Sequence, residues 1–176
     1  MSKPPPSKVR ITKLQELQLD AAVAIDLECK SWLHRAGVSA ADDPARGLPG
    51  FGKLLRSHNV LAADADGVTA GYIAWRDESP GVAYLEEIAV KPDLQRLGIG
   101  TKLLDAVKEE ARGRGLPVLI TRCWTKAASG TAFLKKAGLV PLASSEERAG
   151  FWKQEQEAAG PFVKEGQAAL MFSLGK

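Results

Sequence analysis

Val90-Lys91-Pro92-Asp93-Leu94-Gln95-Arg96-Leu97-Gly98-Ile99-Gly100-Thr101 joins the end of an apolar run to the start of a helical one. Residues 82–90 before it read as a strand that stops ahead of Pro92. Residues 98–112 after it put Ile99, Leu103, Leu104, Val107 and Ala111 on one helical face, with Lys102, Asp105, Lys108 and Glu109 turned away. The first N–H groups of such a helix lack intrahelical acceptors, and its macrodipole is positive there. Glycines remove the Cβ atoms that would hold a phosphate away from those donors, and Arg96, Lys91 and Lys102 can add charge at the rim. The stretch therefore suits an anion cradle of backbone amides. It equally suits a tight helix entry with close backbone packing. Other phosphate motifs fit worse: a P-loop needs Gly-Lys followed by Ser or Thr, whereas the order here is Gly100-Thr101-Lys102. A dinucleotide fingerprint needs a small residue where Leu103 stands.

Upstream, residues 60–65 and 68–77 are β-rich and joined by Asp66-Gly67, the strongest short hairpin signal, because both central residues must accept positive φ. Ser79-Pro80-Gly81 makes the next turn. Residues 9–14 alternate as a half-buried strand, and residues 18–36 carry a helical period stopped by Gly37. Residues 39–52 are rich in Asp, Pro and Gly and read as a loop, with a short second helix over 51–57. Downstream, residues 117–121 form a short apolar strand, 129–137 a helix ended by Gly138, and 140–143 and 167–174 two further strands. The polar stretch 144–166 is expected to be a long hairpin connection with a short helix around 152–158. A mostly antiparallel sheet thus turns parallel where the strand–helix–strand unit of residues 82–121 sits. Ligands bind where strand neighbours part, so the turn after Val90 is the first place to look.

The chain has 176 residues, and one domain over 9–176 behind a disordered tail of residues 1–8 is expected. With 24 Lys and Arg against 21 Asp and Glu, a net charge of +3 gives no reason to expect a nucleic-acid or membrane partner. No apolar run approaches the roughly 20 residues of a membrane span, and the N-terminus lacks a signal-peptide core, so a cytoplasmic location is expected. Cys29 and Cys123 are in no paired spacing and read as reduced, packed thiols. With His34 and His58 the only histidines, no metal site is expected.

The run Tyr84-Leu85-Glu86-Glu87-Ile88-Ala89-Val90-Lys91-Pro92 followed by Gln95-Arg96-Leu97-Gly98-Ile99-Gly100 resembles the acyl-CoA-binding motif of the GCN5-related N-acetyltransferases. That signature is Arg or Gln, two residues, Gly, one residue, then Gly or Ala; Gln95, Gly98 and Gly100 satisfy it. The resemblance covers residues 82–115 closely and 116–139 less so, and over 9–77 it rests on element order. It implies a single α/β domain whose splayed, mixed central sheet has about seven strands and about four flanking helices. It implies acetyl-CoA as co-substrate and an amine of a small molecule, amino acid or protein as acceptor. In similar enzymes backbone N–H groups at the positions of Gln95, Arg96, Leu97, Gly98, Ile99, Gly100 and Thr101 hold the pyrophosphate. The pantetheine arm pairs with the strand at Ile88, Ala89 and Val90, and the N–H of Val90 faces the thioester oxygen. The family often dimerises through edge strands or late hairpins, so a homodimer is an expectation too.

An ammonium acceptor must lose a proton before it attacks. Glu86 stands where similar polyamine acetyltransferases place a functional acid, which makes it the favoured base or amine anchor, with Glu87 close behind. Consecutive strand residues face opposite sides, so only one of the two can point at the acceptor unless a bulge intervenes. Both also read as ordinary strand-surface acids. The chain departs from the family in the next helix: Leu134 stands where many members have the Tyr that protonates the leaving thiolate, and Ala127 where they have Asn. Water, Tyr84 or Tyr72 would supply that proton, or the thiolate leaves unprotonated; the alternative is a non-catalytic acyl-CoA-binding sensor or interaction module. Trp32, Trp124 and Trp152 fall in segments flanking the expected acceptor groove and could form an aromatic wall or serve as packing. Arg122 beside Trp124 suits a carboxylate-bearing acceptor.

Overall fold

The computed structural model describes residues 6–78, 81–142 and 165–175. Its elements are β1 (Val9–Lys13), α1 (Leu19–Arg35), α2 (Gly47–Ser57), β2 (Asn59–Ala65), β3 (Val68–Glu78), β4 (Val82–Val90), α3 (Ile99–Gly113), β5 (Val118–Trp124), α4 (Ala128–Lys136), β6 (Val140–Pro141) and β7 (Gln167–Ser173). Seven strands form one sheet in the order β1-β2-β3-β4-β5-β7-β6, and β4 with β5 is its parallel pair. This is the mixed sheet expected from the strand–helix–strand unit. No helix among the described residues is long and apolar enough to cross a membrane.

The β2–β3 hairpin turns on Asp66 and Gly67 at φ of 53° and 84°, the positive pair that a two-residue connection requires. The Asp66 carboxylate also accepts the backbone N–H groups of Ser7 and Lys8, each at 2.9 Å. Those two residues, assigned to the tail from sequence, are held against this turn.

Two elements differ from their expected bounds. Helix α2 begins at Gly47 and not near residue 51, because Asp26 of α1 accepts the N–H of Arg46 at 2.6 Å and caps the helix from outside it. Pro49 then falls within the first turn, where a missing N–H costs no hydrogen bond. Strand β5 continues past residue 121 to Trp124, because β7 pairs with it as far as Trp124↔Gln167 after β4 has turned away.

The sheet has two covered faces. Leu103, Leu104, Val107 and Ala111 of α3 bury against Ile73, Trp75, Leu85 and Leu119 on one. Ile25 of α1 with Phe51 and Leu54 of α2 bury against Val60, Tyr72, Ala74 and Ala89 on the other. The β4–β5 ladder runs from Val82↔Val118 to Leu85↔Thr121 and ends. At that last pair Thr121 Oγ1 donates to the carbonyl of Leu85 at 2.9 Å, a buried bond. Beyond it the two strands part, and β4 runs on through residues 86–90 with a bare edge.

Candidate active site

The far end of the bare edge is held by close backbone approach. A Cβ on Gly71 of β3 would lie 2.6 Å from the carbonyl oxygen of Ala89 and 3.2 Å from Cα of Val90, so only glycine lets β3 and β4 meet there. Lys91 donates its N–H to the carbonyl of Ala70 at 2.8 Å. Peptide groups alternate sides along a strand, so the N–H and C=O of Val90 turn to the bare edge. The Val90 carbonyl accepts Gln95 Nε2 at 3.0 Å and Cys29 Sγ at 3.5 Å. The side chain of Gln95 therefore ties the loop to the strand end. Burial, with Glu87 nearby, pushes the Cys29 thiol up to about 11.

The two glycines of the turn serve different ends. Gly98 precedes α3 at a φ of 81°, and a Cβ there would meet nothing within 4 Å, so the backbone faces open space. Arg96 also takes positive φ, at 63°. The chain reverses twice while Leu97 and Ile99 pack inward onto the core. The first helical bond runs from Lys102 N–H to Gly98 C=O, which leaves the donors of Ile99, Gly100 and Thr101 ahead of the ladder. Gly100 is a packing residue: its Cβ would sit 3.3 Å from Phe133 Cζ of α4. The turn is open at Gly98 and closely packed at Gly100.

At the other end of the edge, β4 carries a bulge. Ala74 pairs with Glu87 and Trp75 with Leu85, so Glu86 is the extra residue. Without it Glu86 and Glu87 would face opposite sides; with it both turn to the α1/α2 face. Arg46 reaches the two together, donating to Glu87 through Nε at 2.9 Å and lying 3.8 Å from Glu86 Oε1. Glu87 also accepts Tyr72 Oη at 2.9 Å and faces Lys30 Nζ at 3.4 Å. Burial raises its carboxyl, but Lys30 and Arg46 outweigh burial and hold it below the ordinary range. Asp26, fully buried beside it, is pushed up to about 6 by burial and by the charge of Glu87. Lys30 continues the network to Asp43 at 2.6 Å, and Asp43 accepts the indole N–H of Trp124 at 2.8 Å.

Glu86 sits in a ring of bases. Its Oε1 lies 3.7 Å from Arg122 Nη2 and its Oε2 lies 3.3 Å from Arg76 Nη1 and 3.7 Å from His58 Nε2. Burial again opposes ionisation, but His58, Arg122 and Arg76 prevail and bring this carboxyl down to about 2. Arg76 stacks 4.7 Å over the Tyr84 ring, and burial with Glu86 nearby pushes the Tyr84 hydroxyl above its ordinary range.

Of the expected aromatic wall, Trp124 joins this cluster through Asp43, Trp32 lies on the outer side of α1 at 41% exposure, and Trp152 falls outside the described residues. Leu134 packs in the core with residues of α3, and Ala127 precedes α4 without a side-chain cap. Asp26, Lys30, Arg46, His58 and Gly71 were missed from sequence. Only Gly71 carried a signal, an isolated glycine inside a strand pattern.

Residues 19–139 match the family model described as acetyltransferase (GNAT) family. Mycothiol acetyltransferase of Actinosynnema mirum is 33% identical over 122 residues, which is 66% of this chain and 38% of that protein, so the chain spans less than two fifths of that relative's length. The PaiA N-acetyltransferase of Thermoplasma acidophilum, solved in complex with coenzyme A, superposes with a TM-score of 0.74 at 17% identity, covering 94% of this chain and 99% of its own. N-acetylglutamate synthase of Neisseria gonorrhoeae, solved with coenzyme A and N-acetyl-glutamate, superposes at 0.69 and 17% identity over 97% of this chain and 36% of its own. At such identities the structural likeness is one of fold.

Proposed function

The chain belongs to the acetyltransferase (GNAT) family, and on that premise we propose that it moves the acetyl group of acetyl-CoA to an amine by direct attack on the thioester. One observation carries the reading: β4 leaves β5 after Leu85 and Thr121, and the bare edge so made ends at the open N-terminus of α3.

The site fits a coenzyme A thioester, because Gly98 leaves the backbone donors of the turn uncovered. The N–H groups of residues 96–101 hold the pyrophosphate, with Arg96 and Lys102 at the rim, while that of Gln95 donates to Pro92. Ile88, Ala89 and Val90 offer their edge to the pantetheine amides as to an added strand. The N–H of Val90 donates to the thioester oxygen as negative charge develops on it. Acetyl-CoA supplies the acyl group and the leaving thiol.

Glu87 is committed to Arg46, Lys30 and Tyr72 and acts as a structural anion. A carboxylate held near 2 is a weak base at neutral pH, so Glu86 anchors the amine and does not take its proton. The guanidinium groups around Glu86 disfavour a further positive charge and so favour the neutral, nucleophilic amine. The nitrogen attacks the carbonyl carbon, the C–S bond breaks, the amine proton passes to water, and water protonates the thiolate where Leu134 cannot.

Leu134 also favours a second reading, an acyl-CoA-binding module without turnover. Thermal shift with millimolar acetyl-CoA tests binding: at about a hundred times the dissociation constant the gain is roughly 2.7 kcal/mol. An unmoved Tm rejects both readings. Thiol release across an amine panel separates them, and a bound but silent protein rejects the transferase.

A further inference from the structure

Glu86 anchors the acceptor amine without taking its proton, so attack on the thioester needs a base close to that carboxylate. His58 stands there. Its backbone N–H closes α2 on the carbonyl of Leu54 at 2.9 Å, the chain runs on into β2, and its side chain is 8% exposed. Nε2 of the ring lies 2.8 Å from Arg76 Nη1 and 3.7 Å from Glu86 Oε2. Nδ1 lies 2.8 Å from Ser57 Oγ.

These contacts fix where the ring carries its proton. A guanidinium only donates, so Nε2 accepts from Arg76 and bears none. The Ser57 hydroxyl donates to the carbonyl of Lys53 at 3.0 Å, which leaves its oxygen to accept from Nδ1–H. The resting imidazole is therefore neutral, with its lone pair beside Glu86. A proton on Nε2 would suit Glu86 and not Arg76, and the shorter contact to Arg76 decides for the neutral form. His34 is the opposite case: its Nε2 lies 2.9 Å from the carbonyl of Asp43, which only accepts, so that nitrogen donates.

Arg76 can release the lone pair. Its Nε and Nη2 stay on Glu78 at 3.0 and 2.6 Å, while Nη1 already lies 3.3 Å from Glu86 Oε2 and can turn wholly to it. Arg56 of α2, Asp77 of β3 and Arg114 at the end of α3 are the other charged groups around the ring, and with it they line a cleft of about 310 Å³. Arg114 is engaged there by Asp77 at 3.3 Å and by Asn59 at 3.0 Å. Water in that cleft reaches the imidazole from the side away from the thioester strand.

We propose that His58 is the base of the reaction: its Nε2 takes a proton from the ammonium held on Glu86 and frees the nitrogen to attack. This rests on the acetyl-transfer reading and gives the first proton a carrier on its way to water. An N–H bond of the ammonium breaks and an Nε2–H bond forms; the neutral amine then bonds to the carbonyl carbon, and the C–S bond breaks. The second proton, shed as the amide forms, goes by water to the thiolate. The first leaves the imidazolium for the water of the cleft, so each turnover releases one proton.

The test is the pH profile of kcat/KM for thiol release with an amine that wild type turns over. Wild type rises with pH and levels off once the imidazole is unprotonated. His58→Gln, whose amide oxygen can still accept from Arg76, loses about 100-fold at neutral pH, the usual scale for a positioned base. Its rate keeps rising by about tenfold per pH unit where wild type is flat, because hydroxide replaces the imidazole. The acetyl-CoA thermal shift, retained in the variant, shows that it is folded and loaded. Two curves lowered in parallel overturn the proposal, since a packing role moves no pH dependence, and so does a variant as fast as wild type. If the variant does not fold, the wild-type profile decides: a rate that rises without levelling overturns the base. Silence from wild type with every amine, acetyl-CoA bound, overturns acetyl transfer and this inference with it.

Discussion

The carboxylates of Glu86 and Glu87, neighbours along one strand, both approach the guanidinium of Arg46. A bulge with Glu86 as its extra residue makes this possible, and one arginine from the α1–α2 side then serves two acids. Removing that arginine leaves Glu87, nearly closed to solvent, with Lys30 and Tyr72 as partners. Arg46→Met is therefore expected to cost about 3 kcal/mol, the low end of the usual penalty for breaking one side of a buried pair. Urea unfolding checks it, and adding Glu87→Gln should recover part of the loss; a fully additive double variant would deny the coupling.

The Glu86 carboxyl titrates near 2 in the folded chain against an ordinary 4.5. A depressed acid stabilises the fold above its unfolded value, and that stabilisation disappears as pH falls through the folded one. Wild type should therefore exceed Glu86→Gln in stability at neutral pH, and the gap should close between about pH 4.5 and 2. A gap that does not change with pH would remove the ion ring as its cause.

Asp26 runs the other way. Its folded value near 6, against an ordinary 3.8, means that the folded chain binds its proton more tightly than the unfolded chain does. The associated stability is full below about pH 4 and lost as pH rises to about 6. Asp26→Asn should therefore gain on wild type across that window and hold its relative position above it, as read from urea midpoints. A steady difference from pH 4 to 8 would show that the Asp26 carboxyl is not shifted.

Gly98→Val places a β-branched residue at a φ of 81° and fills the open side of the turn. The ligand-free protein should lose about 1–2 kcal/mol from left-handed strain. Its Tm should also stop responding to acetyl-CoA. A preserved shift would move the cradle elsewhere.

Gly71→Ala drives a methyl group into the carbonyl of Ala89. Strand β4 must retreat, at about 1–3 kcal/mol by the usual scale of overpacking. Because Val90 moves with it, kcat/KM should fall even where the protein remains folded. Normal kcat/KM in a folded Gly71→Ala would mean that the position of Val90 does not matter.

Local signals were legible wherever neighbours in sequence decide the conformation. Asp66-Gly67 forms its hairpin because two positive φ angles are a property of those two residues. The amphipathic period of α3 survives because its apolar face had only one place to go. The β4–turn–α3 unit was read from residue types at fixed spacing, and the structure opens it where Gly98 stands. Helix α2 starts ahead of the residues whose pattern announces it, because its cap comes from Asp26, on another helix.

The sequence by itself determined the order of elements, the single parallel crossing and the place of the turn, since periodicity and glycine positions act over a few residues. It left open which side of the sheet Glu86 and Glu87 each take, and the tertiary structure turns both towards Arg46 on the α1/α2 side. A bulge is a matter of register between β3 and β4, and no spacing within β4 reveals it. Likewise Lys30, Arg46, His58, Arg76 and Arg122 meet around two acids only because two helices and three strands converge there. Charges far apart in the chain interact through space, so their sum, and with it the state of each carboxyl, exists only in the fold.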